Sequence, residues 1–169
     1  MPEVVARRAT DDDRELVARL WQLDRHDLSQ FWGTRPGPEG LFRPEVVATF
    51  FTDADRQAWI VEADGEVAGL AVTRLRDDGA SSVFSFFVLR GLRRTGVGSL
   101  AAAQLIAASP GRWAIAFQED NVGAAVFWRR LASDLVGDAV REERETVPDR
   151  TLAQTWLLLD TSIQAPDRR

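Results

Sequence analysis

The feature that most constrains this 169-residue chain is the stretch from Ser82 to about Ala108. There an apolar run, a glycine-containing loop and a helix pattern follow one another without a break. Ser82 to Leu89 is the most strand-like run in the sequence, and its core is fully apolar. Arg90-Gly91-Leu92-Arg93-Arg94-Thr95-Gly96-Val97-Gly98 comes next, and Pro110-Gly111 ends the helix that begins near Val97. The first amides of a helix have no intrahelical partner and can donate to an anion. Gly96 and Gly98 leave the backbone open to a phosphate, while Arg90, Arg93 and Arg94 add charge and forked donors. Together these parts form the chemistry of a pyrophosphate cradle.

Two phosphate ligands compete for that cradle. Gly96-Val97-Gly98-Ser99-Leu100-Ala101 fits the dinucleotide pattern G-x-G-x-x-A, with Glu119 near the end of the next strand where a ribose-binding acid would stand. A dinucleotide fingerprint normally follows the first strand of a parallel sheet. Here the loop follows the fourth strand, behind an antiparallel hairpin, and paired arginines precede it. A Walker loop is excluded because no G-K-(S/T) occurs there.

The elements around the loop set the expected fold. Val4 to Arg8 reads as a first strand, and Thr10 with Asp11, Asp12 and Asp13 as a helix start. Leu16, Val17, Leu20, Trp21 and Leu23 form a helical stripe. The turn-rich loop Gly33 to Gly40 leads to a second helix opened by Pro44 and running through Phe51. Ala58 to Glu62 and Val67 to Thr73 are strands joined tightly at Asp64-Gly65. Trp113 to Gln118 reads as a buried strand, and Asn121 caps a helix to about Ala132. Val136 to Glu145 and Thr151 to Leu159 are closing strands. The order β-α-α-β-β-β-α-β-α-β-β predicts an α/β (α+β) domain. Its sheet should be mixed and mostly antiparallel, of about seven strands, with helices on both faces.

Composition removes several chemistries. The chain has no cysteine, so disulfides, thiolate catalysis and Cys-based zinc sites are excluded. His26 is the only histidine, and no metal site is expected. All 21 basic residues are arginine, tyrosine is absent, and the net charge of −5 argues against general nucleic-acid binding. No apolar run approaches the roughly 18 residues of a membrane span, and the N-terminus lacks a signal-peptide pattern. A cytoplasmic protein without a membrane partner is the expectation. A homodimer is an arrangement the sequence leaves open.

Arg93-Arg94-Thr95-Gly96-Val97-Gly98 resembles the signature (Q/R)-x-x-G-x-(G/A) of the GNAT acetyltransferase superfamily. Asn121-Val122-Gly123-Ala124-Ala125-Val126-Phe127-Trp128 is similar to the N-x-x-A-x-x-(F/L)-(Y/F) helix after that family's fifth strand. The resemblance implies a single acyltransferase domain over residues 1–160, a tail over 161–169, and a gap where the fourth and fifth strands splay apart. It implies acetyl-CoA or another acyl-CoA as donor, with no metal. Amides from Arg93 or Arg94 through Thr95, Gly96, Val97, Gly98 and Ser99 would hold the CoA pyrophosphate. The strand edge at Phe87, Val88 and Leu89 would pair with the pantetheine arm, and an amide near Val88 would face the thioester oxygen. Asn121 would meet that arm, and Phe127 and Trp128 would flank the sulfur.

The sequence departs from the family at two catalytic places. Many members protonate the leaving thiolate with a tyrosine where this chain has Trp128, whose indole N–H has no useful acidity. Many carry a glutamate early in the fourth strand to deprotonate an amine, whereas Ser85 stands near that place. Other candidate proton acceptors are His26 and Glu119. Trp21, His26, Asp27, Phe31, Trp32, Ser85 and Gln118 fall where an acceptor would bind. Asp27 beside His26 would raise the imidazole pKa if the helix ended or bent there. The expected reaction is transfer of an acetyl or short acyl group to a small-molecule acceptor, an amine foremost. An aminoacyl or other unusual donor is the variant within the class. A CoA-binding regulatory module without turnover is the alternative outside it.

Overall fold

The computed structural model describes residues 1–145 and 154–162. Seven strands form one mixed sheet in the order β1-β2-β3-β4-β5-β7-β6. They are β1 (Val4–Arg8), β2 (Arg56–Ala63), β3 (Glu66–Leu75), β4 (Ser81–Val88), β5 (Arg112–Gln118), β6 (Arg141–Glu145) and β7 (Gln154–Asp160). The helices are α1 (Arg14–Trp32), α2 (Glu45–Thr52), α3 (Val97–Ala107) and α4 (Val122–Val136). The element order is the one the sequence predicts. Residues 151–153, expected to start the last strand, and 163–169 of the expected tail lie outside the described residues.

The chain divides into two compact units, Met1–Arg74 with Phe84–Ala101, and Leu75–Val83 with Ala102–Arg169. In the first, β2 pairs antiparallel with β1 and with β3. Ala58 and Ile60 of β2 join Val17, Leu20 and Trp21 of α1 and Val46, Val47 and Phe50 of α2 in one apolar cluster. Val61 and Ala63 meet Val97 and Ala101 of α3 in another. Pleating sends successive residues to opposite faces, so the strand is covered by helices on both sides. Trp21 is fully buried, and its indole N–H donates to the Phe42 carbonyl at 2.9 Å. Its burial therefore leaves no donor unsatisfied.

Gly69 on β3 sits where no side chain fits. A Cβ there would fall 2.1 Å from the Phe87 carbonyl oxygen and 3.2 Å from the Val88 Cα. The close approach fixes the direction of the β4 backbone. Phe87 C=O points toward β3, and the Leu89 amide donates to Ala68 O at 2.9 Å. Polar groups alternate sides along an extended strand, so the Val88 amide and carbonyl point away from β3.

In the second unit β5 and β7 pair antiparallel from Arg112 with Asp160 to Gln118 with Gln154, and β6 pairs antiparallel with β7. Ser81 and Ser82 at the start of β4 run parallel to Trp113 and Ala114 of β5. Two expected boundaries move. Helix α4 continues to Val136 rather than stopping near Ala132, because Leu131, Ala132 and Val136 keep its buried stripe going. Strand β6 accordingly starts at Arg141, not Val136, and all five of its residues, each charged, are exposed. No helix among the described residues is long and apolar enough to cross a membrane.

Candidate functional site

The loop after β4 has an unusual backbone. Leu89 leads into a single 3-10 turn, Arg90–Leu92, and Arg93 is extended. Arg94 then adopts φ +65° and Gly96 φ +95°, both in the left-handed region. A non-glycine residue there stores about 1–3 kcal/mol and persists where its surroundings require it. Thr95 steadies the coil by donating its hydroxyl to Leu92 O at 2.7 Å. Leu100 N–H makes the first helical bond, to Gly96 O at 3.1 Å. The amides of Val97, Gly98 and Ser99 precede it, so helix geometry gives them no partner within α3. A Cβ at Gly96 would meet nothing within 4 Å, so the backbone is open on that side. The residues present fit a diphosphate: backbone donors at a helix start, an open glycine and an exposed Arg94.

Two of the loop's arginines are already engaged. Arg90 grips the Asp27 carboxylate at 2.6 and 2.9 Å. Arg93 bonds the other Asp27 oxygen and gives its Nε–H to the Val88 carbonyl at 2.9 Å. Burial pushes the Asp27 carboxyl up, but the hydrogen bonds from Arg90 and then Arg93 outweigh it and hold the group below the usual carboxylate range. Asp27, expected near an acceptor, thus clamps α1 to the loop after β4. A group with a depressed folded pKa stabilises above its unfolded value, near 3.9, and that contribution is lost as pH falls through the folded value. Asp27→Asn should cost about 1 kcal/mol or less at pH 7, since both arginines are largely exposed. Melting curves should show the variant losing less stability than wild type between pH 5 and 2.

His26 and Asp27 do not meet. Helix α1 runs unbroken through Trp32 and ends at the left-handed Gly33, so adjacent side chains diverge by about 100°. The end or bend that their pairing would require is absent. His26 is exposed and lies edge-on to Phe42, with centroids 6.5 Å apart.

The polar centre of this unit is instead Asp24, which the sequence reading did not single out. It is 2% exposed on the same buried stripe as Val17, Leu20 and Trp21. Its Oδ2 accepts from the Ser85 hydroxyl at 2.5 Å and from Arg25 at 2.6 and 3.2 Å. The Arg25 guanidinium reaches Ser85 Oγ at 3.4 Å and lies over the Trp21 ring at 4.1 Å and the Trp32 ring at 4.9 Å. Phe84 stacks parallel to Trp21 and edge-on to Phe50. Phe84 and Ser85 are consecutive, yet both reach α1, so β4 departs from strict pleating there. Ser85 lies in the middle of β4 rather than early in it. Phe31 is half-buried at the end of α1, and Trp32 is 40% exposed. A carboxylate at i+7 of an apolar helical stripe was the available sequence signal for Asp24.

The other candidates belong to the second unit. Asn121 caps α4 through its Oδ1, which accepts from Ala124 N at 3.1 Å. Phe127 meets Trp128 edge-on at 4.8 Å, and Trp128 is buried. Gln118 ends β5 and is half-buried. Glu119 is not a free base. Arg129 bonds both its oxygens at 2.5 and 3.2 Å, and the buried Thr155 hydroxyl donates at 2.8 Å. The hydrogen bonds from Arg129 and Thr155 hold its carboxyl below the usual range. No group of three or more His, Cys, Asp or Glu residues able to hold a metal occurs among the described residues.

Residues 17–132 match the acetyltransferase (GNAT) family. No curated protein matches the chain by sequence. Solved structures match its fold. An acetyltransferase from Thermus thermophilus shares 17% identity at TM-score 0.68, over 93% of this chain and 96% of that one. The spermidine N-acetyltransferase from Vibrio cholerae, in complex with CoA and spermine, shares 10% at TM-score 0.67 over 94% and 96%. The ribosomal-protein-S18-alanine N-acetyltransferase from Escherichia coli shares 12% at TM-score 0.63 over 99% of each chain.

Proposed function

The chain belongs to the acetyltransferase (GNAT) family, and from that premise we propose that it transfers an acetyl or other short acyl group from acyl-CoA to a small-molecule amine. The observation that carries the reading is the loop from Arg93 to Ser99. Left-handed turns at Arg94 and Gly96 deliver an open backbone to the start of α3, where the free amides lie. Those amides and Arg94 would hold the pyrophosphate. The Val88 amide, turned away from β3, is the donor suited to a thioester oxygen, because polarisation of that carbonyl is what an attacking amine needs. The Vibrio cholerae protein, with CoA and spermine bound, supports this donor and acceptor class.

One observation favours the second reading, a CoA-binding module without turnover. Buried Trp128 stands where many relatives carry a protonating tyrosine, and an indole cannot take that role. A single assay separates the two. Wild type is expected to release CoA thiol from acetyl-CoA only when a primary amine is present. Saturable acetyl-CoA binding without thiol release across a panel of amines would establish the module instead.

A further inference from the structure

A carboxylate on the buried stripe of a helix needs a reason to be there. Desolvating an ion pair costs several kcal/mol, and apolar replacements of buried pairs are often neutral or stabilising. Asp24 has a counter-charge in Arg25, so its charge is compensated, but compensation does not explain its presence. Its second partner is more informative. The Ser85 hydroxyl donates to Asp24 Oδ2 at 2.5 Å, within the range of a charge-assisted O–H···O⁻ bond. A hydroxyl oxygen has two lone pairs; the Arg25 guanidinium approaches one at 3.4 Å, and the other is left able to accept. Phe84, 37% exposed, and Trp32, 40% exposed, border the pair through their contacts with Trp21 and Arg25. Aromatic walls with a hydroxyl–carboxylate pair are suited to an amine acceptor.

The geometry points to Ser85 and Asp24 as a two-step outlet for the acceptor's proton, with Ser85 as the catalytic residue and Asp24 acting through it as a positioning residue. This rests on the acyl transfer proposed above. The neutral amine nitrogen attacks the thioester carbonyl carbon and forms the C–N bond while the C=O π pair moves onto oxygen, from which it later returns as the C–S bond breaks. As the C–N bond forms the nitrogen becomes positive and acidic. Its proton passes to Ser85 Oγ while the Ser85 proton passes to Asp24 Oδ2. The C–S bond then breaks, the thiolate leaves with the electron pair, and solvent protonates it. Asp24 returns its proton through Ser85 to water. A carboxylate is a weak base, and it suits a proton that becomes acidic only once the new bond is forming. Arg25, on the same oxygen as Ser85, fixes the direction of the acceptor lone pair.

Ser85→Ala removes the hydroxyl and leaves the Asp24–Arg25 pair intact, so the fold is not at stake. The probes are acetyl-CoA and primary amines of graded basicity: trifluoroethylamine, glycinamide, benzylamine and propylamine. We expect Ser85→Ala to lower kcat by about 10²–10⁴-fold, the usual contribution of a positioned base. KM for acetyl-CoA should stay within about twofold, because binding is not the step removed. Ser85→Thr keeps the hydroxyl and should recover most of the rate. In mixtures of light and heavy water the wild-type rate should fall along a curve, reporting two protons in motion, and that curvature should vanish in Ser85→Ala. A purely structural serine would produce no such curve. Wild type active with Ser85→Ala equally active, or Ser85→Ala slowed with an unchanged curve, overturns the relay and leaves acyl transfer standing. Wild type silent with every amine overturns both.

Discussion

Calorimetric titration of acetyl-CoA into Gly96→Asp is expected to show affinity reduced by at least about 100-fold, or roughly 2.7 kcal/mol. Two effects combine. Gly96 holds φ +95°, which residues with a Cβ seldom adopt, and the strain should cost about 1–3 kcal/mol of folding stability. The Cβ itself meets nothing within 4 Å of the protein. The fold therefore survives, and the new carboxylate projects into the space assigned to the diphosphate. Gly96→Ala separates the two causes, because it carries the strain without the charge. Its affinity should lie between those of wild type and Gly96→Asp. Equal affinity in all three would remove the loop from the donor site, and tighter binding of NAD than of acetyl-CoA by wild type would assign it to a dinucleotide.

Gly69→Val should give the largest loss of stability. The atoms a Cβ would strike are the Phe87 carbonyl and the Val88 Cα, all backbone, so no side chain can swing aside. Strands β3 and β4 must separate locally. The cost belongs at the upper end of the overpacking range, about 3 kcal/mol. For a chain of this size that is a fall in Tm of roughly 6–12 °C. The change should also raise KM for acetyl-CoA, because the displaced backbone is the one that aims the Val88 amide. An unchanged Tm would mean that the two backbones do not approach as described. Gly69→Ala should fall between Gly69→Val and wild type.

The backbone of the loop after β4 was legible because its signal is local. Strand, glycines and helix start are neighbours in sequence, and backbone chemistry alone gives them meaning. Hairpins and helix starts were legible for the same reason. The Asp24–Ser85 pair was not, because it joins residues 61 positions apart across α1 and β4. Asp24 did carry a trace, as the one carboxylate on an apolar stripe. Its partner could not be named without the packing of α1 on the sheet. The partners of Asp27 were hidden for a related reason. Its neighbour in sequence is His26, but a helix sends consecutive side chains apart, and its partners came from the loop after β4. Glu119 read as a candidate proton acceptor because its partner Arg129 lies ten positions on, within α4.

The short bond between Asp24 and Ser85 also bears on how such a site can change by descent. The family resemblance associates a glutamate with the early part of β4, and position 85 is where such a residue would face α1. In this chain it would set a second carboxylate against Asp24, where burial leaves little water to screen them. One of the two would have to take up a proton or move away. Two charged carboxylates at 24 and 85 therefore oppose each other, and each is held most easily in the company of the right partner. A path between the two arrangements cannot proceed by one favourable replacement at a time. It passes through a chain with either two acids or none. Positions 24 and 85 should accordingly vary as a pair among close relatives, with serine at 85 inherited together with the acid on α1.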